Sequence, residues 1–165
     1  MPDVGNVLVG VALLYYHTTP GTAVGSVVTE IGYTEDGVNI EYNPTIEDID
    51  VEEETFPVKR VITKEECSIT CNMAESSIAN LEQAMAGALR VGGVITLGGG
   101  TIQEIAMKIV GIAPSGAVRT IYAGYVNPVG VVGMSYRLGE KTIVPVTFKP
   151  FLNAYGGTVI TITDA

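Results

Sequence analysis

The residues that could do chemistry are concentrated in one acidic stretch, DIDVEEETFPVKR, at positions 48–60. In a β-strand, side chains alternate between two faces, so every second carboxylate would point the same way. The carboxylates that would share this face are Asp48, Asp50, Glu52 and Glu54. Neighbours on one face lie about 6.6 Å apart, and each adjacent pair repels by about 0.6 kcal/mol in water. Such a face needs water, a cation or a basic partner.

Three uses of the acidic stretch can be compared. A calcium site needs oxygen ligands around a tight turn, whereas Ile49 and Val51 interrupt the acids in strand rhythm. Paired carboxylates could hydrolyse a glycosidic bond, but the sequence contains no Trp to line a sugar cleft. A solvated edge strand, charged against unwanted pairing, is the structural alternative. We therefore expect no bound metal and no catalytic pair here.

Nucleophilic catalysis would need a base beside a serine or cysteine. His17 is the only histidine and lies in YYHTTPG, where a solvated or tyrosine-packed imidazole is expected. Ser115 and Ser135 lack the glycine-flanked turn of a nucleophile elbow. The GGGT stretch at 98–101 lacks the lysine of a phosphate-binding loop and opens no dinucleotide fingerprint. The sequence predicts no catalytic residues, no cofactor and no enzymatic activity.

Cys67 and Cys71 are the two cysteines, in the alternating stretch ECSITCNM. In a strand their sulfurs share a face about 13 Å apart, which is too far for a disulfide whose Cα atoms must lie within about 7 Å. A zinc site would need further ligands. Both cysteines are therefore predicted to be reduced thiols of the core.

The net charge of −9 is concentrated in one part of the chain. Residues 30–66 contain twelve of the 18 acidic residues but only three of the nine basic ones, so the remainder is neutral. Proteins grip nucleic acid and anionic membranes with lysine and arginine, which argues against both as tightly bound partners. The apolar run at 4–14 has no preceding basic segment and is too short to span a bilayer. We expect synthesis and folding in a cytoplasm.

Most of the sequence predicts strands, with one helix in the middle of the chain. Asp36-Gly37 is a hairpin signal, and AESSIANLEQAMAGALR, near residues 74–90, has an apolar face at helical spacing. A capping box from Asn72 to Glu75 could begin this helix. Besides the acidic stretch, the expected strands are 7–16, 26–33, 39–42, 56–62, 67–73, 102–112, 119–126, 142–148 and 158–163. This predicts one domain over residues 1–165, mainly β, with two packed antiparallel sheets in a β-sandwich or barrel and one flanking helix.

Residues 43–57 stand apart from the predicted domain. They are too polar for a core and too long for a simple hairpin turn. We expect them to form an extended arm or hairpin that reaches beyond the subunit's own sheets.

Three long stretches follow one another in a distinctive order: EIGYTEDGVNIEYNPTIEDIDVEE, then PVKRVITKEECSITCNMAESSIANLEQAM, then EKTIVPVTFKPF. They combine a turn entering a strand, an acidic strand, a strand with a basic pair, a strand running into a helix, and a late strand in which Pro145 suits an edge or a bulge. This order, over about residues 28–152, resembles that of the major tail proteins of bacteriophages, the subunits of the tail tube. The opening stretch LVGVALLYYHTTPGTAV also resembles the first strand and loop of that family.

The resemblance implies a structural protein of the virion tail. Six copies would close into a ring whose inner sheets join into one barrel, and rings would stack into a hollow tube, as in type VI secretion tube proteins. DNA would pass through the lumen without specific binding. Other tail proteins, such as the tape measure, terminator and baseplate proteins, would be partners, and no membrane would be involved.

Within such a tube, the acidic residues would border the lumen and repel DNA, or lie at the junctions between rings. The acidic residues expected there are Glu41, Glu47, Asp48, Asp50, Glu52 and Glu54. Their basic partners on a neighbouring copy would be Lys59, Arg60 and Lys64. The alternative function is a non-catalytic β-sandwich module that binds carbohydrate or calcium. An aromatic binding face would favour that alternative, but the eight tyrosines are scattered.

Overall fold

The computed structural model of the protein describes residues 12–135, 138, 142–153 and 157–165. It is 52% strand and 7% helix, which confirms the predicted mainly-β fold with one α-helix. The strands are β1 (Leu13–His17), β2 (Thr29–Glu30), β3 (Thr34–Ile49), β4 (Lys59–Met73), β5 (Leu89–Val91), β6 (Val94–Thr96), β7 (Ile105–Ile112), β8 (Val118–Val129), β9 (Val144–Pro150) and β10 (Ile160–Asp164). The helices are α1 (Ile78–Ala84) and a 3₁₀ helix (Val24–Ser26).

The strands form one large antiparallel sheet and one small hairpin. Seven strands of the large sheet follow the order β2-β1-β7-β8-β9-β4-β3. The eighth, β10, pairs with the first half of β8, whereas β9 pairs with its second half. The small sheet consists of β5 and β6, which pair from Leu89 to Thr96. This arrangement places β2 and β3 at opposite edges of the large sheet.

The large sheet must curl, because its two edges are joined by a very short connection. Only residues 31–33 separate β2 from β3, and a chain of this length spans at most about 14 Å. In a flat sheet, six strand spacings would place these edges about 29 Å apart. Gly32 has a φ of 93°, which most side chains disfavour, and Ala74 N–H donates to Tyr33 O beside it. The sheet therefore curls until β2 and β3 approach each other, although no pairing joins these two edge strands among the described residues.

One hydrophobic core fills the inside of this curled sheet. It contains buried side chains from five strands and the helix, including Leu14 of β1, Ile69 of β4, Met107 of β7 and Phe148 of β9. From α1, the side chains of Leu81 and Ala84 join the same cluster. The core thus extends across the sheet from β1 to β4, with α1 packed against it, as expected for a helix on the flank of a β-domain.

The helix is shorter than the predicted span of 74–90. It begins after Ser77, whose Oγ accepts a hydrogen bond from Asn80 N–H at 3.2 Å, so Ser77 is the N-cap. The predicted capping box is wrong, because Asn72 lies in β4 opposite Glu35 and Pro145. After Met85 the chain turns, and the end of the predicted span becomes strand β5.

Two predicted boundaries in the first half of the sheet are also wrong. Asp36-Gly37 does not reverse the chain; both residues have positive φ, and they form a bulge within β3 between Glu35 and Val38. This bulge adds two residues to β3 between the adjacent partners Asn72 and Cys71, and such extra residues bend a strand locally. The separate strands expected at 56–62 and 67–73 are one continuous strand, β4.

The N-terminal part of the strand predicted at 7–16 lies outside the described residues, which begin at residue 12. From there, β1 runs from Leu13 to His17. Within the described part of the chain, no helix is long and apolar enough to cross a membrane.

Candidate functional site

β3 and β4 continue past the rest of the sheet as a two-stranded ribbon. β4 pairs with β9 from Ile69 to Met73, whereas residues 59–68 pair with β3 alone among the described strands. At the far end, Val58 N–H donates to Ile49 O at 2.9 Å and closes the loop of residues 50–58. We call residues 39–68 the arm and residues 50–58 its tip. At about 3.3 Å per residue, the ribbon reaches about 33 Å beyond Ile69.

One face of the arm continues the hydrophobic core outward, and we call it the inner face. At its base, buried Ile69 lies opposite Ile40. Further out, Tyr42 lies opposite Cys67, and Ile46 lies opposite Ile62. Tyr42 is 58% exposed, and Ile46 and Ile62 are each 57% exposed. An apolar pattern that is buried at the base is therefore open to solvent along the arm.

The tip exposes further apolar side chains. Phe56 is 81% exposed, and Val51, Val58 and the adjacent Ile49 are also exposed. Together with Tyr42, Ile46 and Ile62, these side chains make the outer half of the arm rich in exposed apolar groups. Patches of this kind mark surfaces that contact a partner.

The structure separates the acidic residues that the sequence predicts to share one strand face. β3 ends at Ile49, so that prediction is wrong beyond this residue. Of the six acids predicted to border the lumen or the ring junctions, two lie on the face opposite the inner face, one lies on the inner face, and three lie in the tip. In that order they are Glu41 and Glu47, then Asp48, then Asp50, Glu52 and Glu54.

A physical reason for the end of the strand lies in the tip sequence. Pro57 has no N–H to donate to a strand ladder, and β4 pairing begins two residues after it, at Lys59. A longer ladder would also hold the acids of the tip in fixed rows, where like charges repel. In the tip, Glu54 N–H instead donates to Val51 O in a turn at 3.3 Å.

Two of the three predicted basic partners have partners within the arm. Arg60 Nε lies 2.8 Å from Asp48 Oδ1, directly across the ribbon. Lys64 Nζ lies 2.6 Å from Glu66 Oε1, and the hydrogen bond from Lys64 holds the pKa of Glu66 below its usual value. Lys59 lies opposite Ile49 at the start of the tip. Contacts between these bases and a neighbouring copy stay a prediction.

A second apolar feature lies beside α1. Part of α1, the chain after it, β6 and residue 134 form an open groove of about 250 Å³. It is lined by Ile78, Leu81, Met85, Ile95, Leu97 and Met134. Arg90 lies directly opposite Ile95 across the β5–β6 pair and therefore shares its face, and Arg90 Nε lies 2.7 Å from Glu82 Oε2. The groove is thus apolar, with an ion pair nearby.

Three of the residues considered for catalysis in the sequence are His17, Cys67 and Cys71, and the structure shows the environment of each. His17 Nδ1 lies 3.0 Å from Thr19 N, which donates to it, and 3.1 Å from Thr22 Oγ1. Cys67 and Cys71 are free thiols, as predicted, but only Cys71 belongs to the core, because Cys67 lies on the arm and is half-buried. Burial raises the pKa of Cys71 to about 12. Among the described residues, no group of three or more His, Cys, Asp or Glu side chains could hold a metal ion.

Comparison with known proteins adds no relative to these observations, since no family model matches the sequence and a search of curated proteins finds no match.

Sequence reasoning missed the apolar part of the arm. The signal lies in VNIEYNPTI, where Val38, Ile40, Tyr42, Pro44 and Ile46 occupy every second position. This is the alternation of a half-buried strand. It continues into the acidic stretch, so that an apolar face and an acidic segment belong to the same hairpin.

Proposed function

We propose that the protein is a non-catalytic structural subunit of a phage tail tube, in which six copies form a ring and rings stack around a channel for DNA. The observation that carries this proposal is the arm, which extends beyond the sheet and exposes large apolar side chains, among them Phe56, Ile46 and Ile62. A solvent-facing ribbon of this kind gains stability when another chain covers it.

Two further features support a tube subunit. The order of sequence motifs over about residues 28–152 resembles that of major tail proteins, and the fold is mainly β with one helix, as that resemblance implies. β3 is also an edge strand of the large sheet. Unpaired edges invite pairing with another chain, and closing sheets around a ring would remove them.

The acidic residues have a role in this proposal. In a ring of six copies their charge recurs around the axis, and wherever it borders the channel it repels the DNA backbone. DNA then slides through the tube without adhering to it. The partners are further copies of this chain and other tail proteins, including the tape measure, terminator and baseplate proteins, and the location is the virion tail.

The first test removes the outer part of the arm without disturbing its base. Thr45 and Lys64 are paired just before a register shift between Thr45 and Ile46, so replacing residues 46–63 by Asn-Gly joins these strands through a two-residue hairpin turn. The truncated subunit should stay folded, with its free energy of unfolding changed by less than about 1 kcal/mol, because the one ion pair that is lost, Arg60 with Asp48, is exposed. It should no longer assemble, as measured by sedimentation and electron microscopy.

Full-length protein in the same experiments provides the reference. At high concentration it should form six-fold rings or tubes. A strictly monomeric full-length protein at every salt concentration, or normal tubes from the truncated chain, would contradict the proposal.

The second test concerns the acids. Replacing Asp48, Asp50 and Glu52 by Lys should give tubes that retain DNA or assemble badly, because the substitutions turn repulsion into attraction for phosphate. The matched control replaces the same residues by Asn, Asn and Gln, which removes charge without reversing it. If the Lys variant assembles and releases DNA like the parent, the acids form only a solvated edge.

A further inference from the structure

The groove beside α1 and the side chain of Phe56 are complementary in size and chemistry. The groove measures about 250 Å³ and is lined by six apolar side chains. An apolar cavity of about 150 Å³ is enough to bind benzene, so a phenyl ring fits in the larger space. Phe56 is the most exposed large apolar side chain of the arm, at 81%. Each of the two features lacks apolar cover within the described part of its own chain.

Phe56 cannot reach the groove of its own chain. The groove begins at Ile78, a few residues after the base of the arm, whereas Phe56 lies in the tip. The paired ribbon between base and tip is about 33 Å long, and β3 pairs with β4 from Asn39 to Ile49 with one register shift between Thr45 and Ile46. Any groove that receives Phe56 therefore belongs to another molecule.

We propose that Phe56 of one copy binds in the groove beside α1 of a second copy. This inference rests on the proposed self-assembly and names its contact. The tip also exposes the apolar side chains of Val51 and Val58, which a second copy would cover together with Phe56.

Charge also favours this contact. The tip contains four acids and no base between residues 50 and 58. Arg90 lies on the groove side of the β5–β6 hairpin, and its guanidinium keeps donors beyond the single contact from Nε to Glu82. Glu54, two residues before Phe56, would lie near Arg90 when the phenyl ring of Phe56 occupies the groove. The acidic tip thus meets a basic side chain at the edge of an apolar site.

The contact joins two different surfaces of the chain, so it is heterologous. Each bound copy still offers a free tip at one end and a free groove at the other, and the association continues until it closes or becomes a filament. A contact of this type repeats along an assembly, whereas a self-complementary patch would stop at a dimer.

Disulfide trapping between two separately prepared proteins tests the proposal. One protein carries Phe56→Cys and the other Leu97→Cys, where Leu97 lines the groove and is 66% exposed. Both carry Cys67→Ser, which removes the partly exposed native thiol. Under mild oxidation, the mixture should yield a disulfide-linked dimer of one copy of each protein. The matched control replaces Leu97→Cys by Ile112→Cys, at the exposed end of β7, and should give at least about tenfold less heterodimer.

Assembly of the Phe56 variants provides an independent measurement. Truncating a buried aromatic anchor commonly costs an interface at least a factor of about thirty in affinity, so Phe56→Ser should raise the critical concentration by about that factor. Phe56→Leu keeps an apolar side chain and should stay within about fivefold of the parent. Both should unfold at the parental temperature, because the side chain is exposed in the free subunit.

The outcomes separate this inference from the proposed function. Tubes that form without the Phe56–Leu97 disulfide, or with equal trapping at Ile112, would overturn the contact and leave the tube subunit standing. Absence of any assembly would overturn both. Heterodimer trapping together with the Phe56→Ser defect supports the contact.

Discussion

Cys67 and Cys71 lie on one face of β4, and their surroundings change over a short distance. Cys71 is buried beside the core, whereas Cys67 lies at the start of the arm and is partly exposed. Burial disfavours the charged thiolate, and it raises the pKa of both thiols, that of Cys71 to about 12. The boundary between core and arm therefore lies between these residues.

The two thiols should differ in reactivity. At pH 8 about one in ten thousand Cys71 side chains is a thiolate, because the pH is about four units below its pKa. We expect Cys67, measured in Cys71→Ala, to react with a small disulfide reagent at least about a hundredfold faster than Cys71, measured in Cys67→Ser. The rate for Cys71 should rise about tenfold per pH unit up to about pH 10. A plateau near pH 9 would show that Cys71 is not buried.

At the scale of the element, the side chain of Asn80 links α1 to the connection between β2 and β3. Asn80 is buried, and its Nδ2 donates to Ile31 O in the connection between β2 and β3 and to Glu75 O at 3.3 Å. Asn80 N–H also donates to the cap Ser77. The same residue thus joins the helix start to the segment that brings the two sheet edges together.

Asn80→Ala should destabilise the fold. It leaves Ile31 O without this donor in a buried place, which costs about 1–3 kcal/mol in free energy of unfolding. The matched control is Asn39→Ala, because Asn39 makes its hydrogen bond to Glu41 on the exposed arm, and it should change stability by less than about 0.5 kcal/mol. Urea denaturation measures both. Equal effects of the two substitutions would contradict the assigned role of Asn80.

The elements also show what the sequence could and could not predict. Alternation predicts strands at β3 and β4 because a half-buried strand has a period of two. Alternation does not tell where a strand turns. Asp36-Gly37 is a turn signal in the sequence, but it forms a bulge because β3 pairs with the same strand, β4, on both sides of it. Ser77 instead of Asn72 begins α1 because Asn72 is held in the ladder between Glu35 and Pro145. Long-range pairing, which no local pattern contains, decides each case.

The position of Pro145 illustrates the reverse case. The sequence predicts an edge or a bulge there, and Pro145 lies where β9 pairs with β4 but not yet with β8, whose pairing with β9 begins at Thr147. Proline has no N–H to donate to a neighbouring strand, so the residue itself is enough to predict this position. The positions of the acids are harder to predict. Glu47 and Asp48 point to opposite faces of β3, and only the pairing of β3 with β4 decides which of them shares a face with the core.

At the scale of the whole molecule, the proposed assembly would bring together copies that each carry a net charge of −9. Like-charged copies repel over distances up to the Debye length, about 10 Å at 0.1 M salt. Apolar contacts are not weakened in this way. Arg60 and Lys64 are already paired inside the arm, so we expect the repulsion between whole copies to outweigh the attraction between the tip acids and the single Arg90.

Salt should therefore promote assembly. Raising sodium chloride from about 0.02 M to about 0.5 M shortens the Debye length several-fold, and we expect the critical concentration for tubes, measured by light scattering, to fall. The neutralised variant that carries Asp48→Asn, Asp50→Asn and Glu52→Gln should show a weaker salt dependence. A critical concentration that rises with salt would instead point to ion pairs between copies.

The pairing of β1 with β7 has a consequence for synthesis on the ribosome. Leu13 pairs with Val110, about a hundred residues later, whereas β3 and β4 are neighbours in the chain. At about 5–20 residues per second, β7 emerges about 2–6 s after the end of β4. A nascent chain can thus form the β3–β4 hairpin before the curled sheet is complete, and neighbouring nascent chains then expose apolar strands to one another. We expect the acids of the tip to oppose aggregation of these unfinished chains, because like charges repel and charged residues beside apolar strands act as gatekeepers.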